Sequence, residues 1–329
     1  MATTTTTVPS AGPVAGSRSW LSRLREGDEI ARLVTFLFAA SVVLVTVLLV
    51  LELWRGSALP RHKFGFNFFR TSVWDPIFDQ FGALTFIYGT LVTSGVALFI
   101  AVPLGIGAAI FLAELAPARV SDTLEFFIDL LAAVPSVIYG LLGVFIVVPL
   151  MREYGQPALK KSLGFLPLFQ GPAYGIGFLT AGIVLAIMVI PYIISVSREV
   201  LLSVPRDQRE AALSLGATRW ESTWKVVVPF ARTGIFGSIF LALARALGET
   251  MAVTMVIGNT PKISASLFSP GYSIAAVIAN EFTEATGDLY LQSLIELGLV
   301  LFILTFVLNG IARVLIVATS QRGSGMGNQ

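Results

Sequence analysis

LVTFLFAASVVLVTVLLVL, residues 33–51, carries no charged side chain. A helix needs roughly 20 apolar residues to cross a bilayer core, and this run supplies them in one piece. It starts too far into the chain, and is too long, for the apolar region of an ordinary signal peptide. Five further apolar runs follow, at residues 83–113, 130–151, 171–197, 233–261 and 289–312. The second is longer than a straight crossing needs and holds Pro103, which predicts tilt or a kink. Pro135 and Pro191 fall inside the third and fourth, Arg245 and Glu249 break the fifth, and Glu296 lies in the sixth. Backbone groups in lipid must be satisfied internally, so these runs predict helices rather than the short alternating strands of a barrel. The fold class expected is an all-α membrane protein with six transmembrane helices.

Composition agrees. Of 329 residues, 55% are apolar and 13% charged, against about 25% charged in an average soluble domain. The mean hydropathy is +0.81, more apolar side chain than a soluble core hides. A soluble enzyme, a disordered protein and a nucleic-acid binder are set aside, the last also by a net charge of only +2. With no cysteine and a single histidine, His62, Cys-ligated zinc, iron–sulfur clusters, a thiol nucleophile and a two-histidine site are excluded. No G-x-x-x-x-G-K-[ST] pattern occurs, so ATP binding by this chain is not expected, nor is any cofactor.

Outside the apolar runs the chain divides simply. Residues 1–32 read as a Thr-, Pro-, Ala- and Gly-rich disordered tail leading into an interfacial helix at 18–32. Residues 33–318 form the membrane domain, with a long polar loop at 198–232, and 319–329 are a short polar tail. Six spans place both termini on one side. With the N-terminus inside, inner segments hold 13 Lys and Arg and outer ones 8, so the positive-inside rule puts both termini in the cytoplasm. The first outer loop carries FGFNFF, residues 64–69, and Trp74, which predict aromatic anchoring at the membrane interface.

The 198–232 loop is the most informative. From residue 203 it reads SVPRDQREAALSLGATRWESTWKVVVPFARTGI. Ser203 suits an N-cap and Pro205 a first helical turn. Residues 206–215 form helix readily, and Ala211, Ala212 and Leu215 share a small apolar face. Gly216 stands where a left-handed stop is wanted. A second helix is expected over 219–227, ending before Pro229. Two short helices joined by a glycine turn make a rigid knob outside the lipid, which a soluble partner would explain.

Glu210-Ala211-Ala212, Gly216 after three residues, and Val226-x-Val228-Pro229 after nine more resemble the EAA loop of ABC importer permeases. Val replaces the usual Ile and Leu at 226 and 228. LARALGETMAVTMVIGNTP (243–261) and FGALTFIYGTLVTS (81–94) resemble phosphate-specific permeases of the PstC type. This resemblance covers roughly residues 65–318. It implies a multi-pass permease subunit of an ATP-driven phosphate importer in a prokaryotic cytoplasmic membrane. It also implies a sister permease (PstA type), ATPase subunits (PstB type) that bind ATP and Mg, and an extracytoplasmic phosphate-binding protein (PstS type). Glu210, Ala211, Ala212, Gly216 and Pro229 are the implied ATPase-coupling residues. Another oxyanion such as sulfate or molybdate, or a stand-alone secondary transporter, are the competing readings.

Arg245 and Glu249 are four apart, which on a continuous helix puts them on one face. An ion in lipid costs at least about 2.5–3.5 kcal/mol, which a pair facing the bundle interior offsets. Arg also offers a planar fork to an oxyanion, and Glu249 would keep it from holding that anion too tightly. Arg245 and Glu249 are thus the candidate substrate-pathway residues. Glu125 and Asp129 are expected as structural groups entering the third span. Glu296 either lines the pathway or meets outer headgroups.

The topology is open to a direct test. His62→Cys creates a single thiol in a Cys-free chain, and a membrane-impermeant thiol reagent applied to intact cells is expected to label it. Labelling only after permeabilisation would reverse the orientation.

Overall fold

A computed structural model describes residues 28–324. The sequence-expected tail at 1–17, most of the interfacial helix at 18–32 and the end of the polar tail lie outside them. The chain divides into two compact units, Met1–Glu52 and Leu53–Gln329. Among the described residues six helices are long and apolar enough to cross a membrane. In the first unit the only described element is the start of α1 (Asp28–Gly56), a continuous helix over the first apolar run.

The second unit contains the other five spans. They are α4 (Leu84–Leu115), α6 (Ser136–Leu163), α7 (Phe178–Leu202), α9 (Arg219–Leu247) and the membrane part of α12 (Asp288–Ser324). Short helices join them: α2 (Ala58–Phe64), α3 (Asn67–Arg70), α5 (Ala118–Ala132), α8 (Arg206–Ser214), α10 (Met251–Ile257) and α11 (Ile274–Glu281).

Helix α7 is the centre, with 67% of its most apolar window buried against 33% or less in the others. Lipid tails are as apolar as leucine, so helices there associate through close packing, and small residues permit it. Ala97, Ala101, Gly105 and Ala109 recur every four residues along one buried face of α4. Gly105 meets Ile193 of α7, and Gly182 of α7 meets Val96 of α4, each so closely that an added Cβ would clash. Gly107, two residues from Gly105, is exposed, and a Cβ added there would meet nothing within 4 Å.

The span boundaries differ from the sequence reading in instructive ways. Pro103 sits inside α4 without interrupting it; the irregularity comes later, as a wide π turn at Phe111–Leu115. Pro135 precedes α6 instead of lying within a span, so 118–132 form a separate helix, and the Tyr139 hydroxyl donates to the Leu131 carbonyl at 2.8 Å across the break. Residues 171–177 are apolar but not helical. The N–H groups at 177, 178 and 179 bond instead to carbonyls of Val256, Ser269 and Leu267, so α7 starts only at Phe178.

The aromatic loop before α4 is divided between core and surface. Phe66 is 87% exposed, as an interfacial anchor would be, whereas Phe68 is fully buried. Trp74 corrects the anchoring expectation. Its ring packs edge-on against Phe81 and Phe86 at 4.8 and 4.9 Å, and its Nε1 donates to Glu281 at 2.8 Å. Burial of the ring with a partner for its N–H is better satisfied here than at a headgroup.

The same cluster binds α11 to α4. Thr90 Oγ1 accepts the Ile274 N–H at 3.0 Å, and a Cβ on Gly89 would lie 2.1 Å from the Tyr272 carbonyl oxygen. Backbone cannot yield as a side-chain tip does. Gly89→Ala is therefore expected to cost about 1–3 kcal/mol, read as a lower unfolding temperature of the purified complex in detergent.

Candidate functional site

The knob forms much as its residues dictate. Helix α8 begins at Arg206 after Pro205. Ser203 does not cap it; it ends α7 and donates to the Val200 carbonyl at 2.7 Å. At the far end the Ala217 N–H bonds to the Ala212 carbonyl at 3.2 Å and the Gly216 N–H to Leu213 at 3.0 Å. Gly216 has φ +85°, so the pair of bonds is a Schellman stop that a Cβ would strain. Thr218 and Glu221 then form a reciprocal capping box for α9, using the hydroxyl for one orphan N–H and the carboxylate for another.

The expected helix end before Pro229 is not observed. Helix α9 continues through Pro229 into the membrane, because Thr223–Val227 widen into a π turn. Proline has no N–H and its ring crowds the carbonyl four residues back; a wider turn just before it relieves that conflict.

Ala211 and Ala212 line a cleft of about 480 Å³ with Leu215, Gly216, Glu221 and Lys225. Glu210 and Pro229 are exposed but do not line it. Leu215 is 90% exposed, and Trp220 and Trp224 also show large apolar surface. Apolar surface of this kind outside the lipid marks an interaction site.

What holds the knob to the membrane domain was not legible in the sequence. Arg209 donates to Glu114 at the end of α4 through Nη2 at 2.8 Å and Nε at 3.2 Å. It also donates to the backbone carbonyls of Leu201 and Val204 at the end of α7. One guanidinium thus joins α8 to two spans. A second ion pair, Arg198 with Glu125, joins α7 to α5, with Ser121 as a further acceptor. Asp129 accepts from Ser195 at 3.3 Å. Glu125 and Asp129 therefore sit on α5, before the third span rather than in its entry.

Helices α7 and α9 run antiparallel along a line of paired positions. Gly234 meets Val200 closely, Ser197 and Ser238 share a buried hydrogen bond of 2.7 Å, and the Arg245 guanidinium lies over the Tyr192 ring, 5.8 Å from its centroid. Arg245 is exposed on this single chain.

Glu249 is not on its helix. Helix α9 ends at Leu247, and α10 starts at Met251. The Glu249 carboxylate accepts the Ala252 N–H at 3.1 Å, holding the start of α10. Among the described residues the ion pairs are Arg198–Glu125, Arg209–Glu114 and Lys225–Glu221, and Arg245 is in none of them. The shared-face pairing expected from the spacing is corrected by the break at Gly248. Glu296 is 2% exposed and lines an apolar cavity of about 290 Å³ with Trp54, Arg61 and Phe66.

Comparison with known proteins follows the same lines. Residues 101–321 match the family described as "Binding-protein-dependent transport system inner membrane component". The chain is 48% identical to the phosphate transport system permease protein PstC of Mesorhizobium japonicum, over 86% of this chain and 89% of that protein. It is 45% identical to the PstC protein of Xylella fastidiosa strain Temecula1 over 97% of this chain and 99% of that one. Among solved structures it is similar in fold to a chain of the MetNI methionine ABC transporter, with TM-score 0.53 and 17% identity over 75% of this chain and 99% of that one. A bacterial alginate ABC transporter chain gives TM-score 0.55 at 16% identity, covering 90% of this chain and 96% of that one.

The Arg209 anchor makes a separable prediction. Arg209→Met leaves the part-buried Glu114 without its cation and is expected to cost about 1–3 kcal/mol. Adding Glu114→Met is expected to recover most of that loss, measured as the unfolding temperature in detergent.

Proposed function

Because this chain belongs to the family of binding-protein-dependent transport system inner membrane components, and within it to the PstC phosphate permeases, we propose that it is a membrane subunit of an ATP-driven phosphate importer. It is a multi-pass protein of the inner membrane. It provides half of the translocation pathway, the other half coming from a sister permease. An extracytoplasmic binding protein delivers phosphate on one side. On the other, ATPase subunits take the knob of α8 into their surface, and ATP with Mg is bound and hydrolysed there, not in this chain. Both termini lie on the knob side, in the cytoplasm.

The observation that carries the reading is Arg245. Its guanidinium is exposed on a membrane-spanning helix, with no carboxylate paired to it among the described residues. A charge so placed is costly against lipid and suits a wet interface with a second subunit. There its fork offers charge-assisted hydrogen bonds to a phosphate passing between the two. The exposed knob with its Schellman stop supports the coupling role of Glu210, Ala211, Ala212 and Gly216. When ATP closes the ATPase pair, the knob moves, and Arg209 passes that movement to α4 and α7. The Arg245 face then opens alternately to the two sides.

Radiolabelled phosphate uptake by the reconstituted complex tests this. Uptake is expected to vanish when the ATPase is omitted; persistence would make the chain a secondary transporter. Excess sulfate is expected not to compete. Arg245→Gln is expected to lower uptake about 10- to 100-fold, the equivalent of a charge-assisted hydrogen bond, with the complex still assembled. Arg245→Gln combined with Glu249→Gln is expected to stay as low, since no ion pair needs relief. Recovery in the double variant would return Arg245 to a charge-balancing role.

A further inference from the structure

Among the described residues Arg245 has no carboxylate partner, yet a long flexible cation that must meet a passing anion needs something to hold it. The structure places an aromatic face beside it. Tyr192 on α7 presents its ring to the guanidinium, 5.8 Å from carbon to centroid. Among the described residues no hydrogen bond is made by the Tyr192 hydroxyl. The ring is packed against the α4, α6 and α7 core, half-buried beside fully buried Ile193. Ile193 in turn seats against Gly105, which fixes the rotation of α7. The Ser197–Ser238 bond fixes its register against α9. Tyr192 therefore cannot drift from Arg245 without unpacking the Gly105–Ile193 contact and breaking the buried Ser197–Ser238 bond.

We propose that Tyr192 is a positioning residue for phosphate transfer, its ring face holding the Arg245 guanidinium on the pathway while leaving its N–H donors uncommitted. This rests on the role of Arg245 given above. An aromatic face offsets a cation through its quadrupole. A carboxylate would do so by occupying the fork that phosphate needs, and would repel the anion as well. A ring does neither. The observed arrangement thus reconciles two needs that conflict for an ion pair: holding the cation still, and keeping its donors free.

The test uses the full complex with its binding protein and ATPase in proteoliposomes, reading the initial rate of radiolabelled phosphate uptake per assembled complex. Tyr192→Phe is expected to stay within about twofold of the natural protein, because the hydroxyl has no partner. Phenylalanine carrying one, two and three fluorines at position 192 keeps nearly the same volume while draining the ring's negative face. Uptake is expected to fall stepwise along that series, reaching roughly 5- to 30-fold for a partly desolvated cation–π contact. A packing role would not move with fluorination, so a flat series overturns the proposal, even if Tyr192→Leu is slow. Arg245→Gln measured in parallel separates the two readings. If Arg245→Gln is inactive and the series is flat, only the Tyr192 assignment fails. If Arg245→Gln transports normally, the role of Arg245 fails, and any fluorine effect then acts elsewhere and overturns this proposal too.

Discussion

Helix α7 can occupy the centre of the bundle only because the faces it meets are lined with small residues. In lipid there is no hydrophobic gain from bringing two apolar helices together, so association depends on how closely backbones approach. The four-residue ladder Ala97, Ala101, Gly105 and Ala109 on α4, and Gly234 against Val200 between α9 and α7, provide that approach on two sides. Close packing also leaves little freedom to slide or rotate, since each side chain sits in a fitted space. The buried Ser197–Ser238 bond adds a polar lock, and the position of Arg245 opposite Tyr192 follows from it.

Charge is distributed by the same logic. The ion pairs among the described residues gather at the knob end, where Arg209, Arg198 and Lys225 meet Glu114, Glu125 and Glu221. There they act as mechanical links. Arg209 touches the ends of α4 and α7 at once, so a displacement of α8 moves spans instead of being absorbed by a slack loop. Arg245, by contrast, stands in a spanning helix with an aromatic face beside it. Paired charges link the helices at the knob end, whereas Arg245 is in no ion pair among the described residues.

Glutamate 249 shows how a sound local rule fails when its premise does. A spacing of four puts two residues on one face only while the helix lasts. Helix α9 ends at Leu247, and the carboxylate turns instead to the Ala252 N–H. The result is a break in the helix itself at Gly248, where the two charges interrupt the fifth apolar run. Trp74 is a parallel case: aromatic and near a span end, it resembles an anchor, but Glu281 and two phenylalanines draw it inward.

Six apolar runs, the helix-forming stretch at 206–214 and the glycine at 216 were readable along the chain, because hydropathy, helix propensity and a left-handed stop are properties of neighbouring residues. Span ends were not. Residues 171–177 are apolar yet not helical, the amides at 177–179 going to carbonyls of Val256, Ser269 and Leu267, and the helix expected to stop before Pro229 runs on into the span because a π turn lets α9 pass that proline. Arg209 and Tyr192 carried no signal of their own. Their partners lie 95 residues away at Glu114 and on a different span at Arg245, and only the packing of α4, α7, α8 and α9 brings those groups together. Local chemistry decided which segments enter the membrane; contacts between distant segments decided which of their charged groups are paired and which, like Arg245, lie beside an aromatic ring instead.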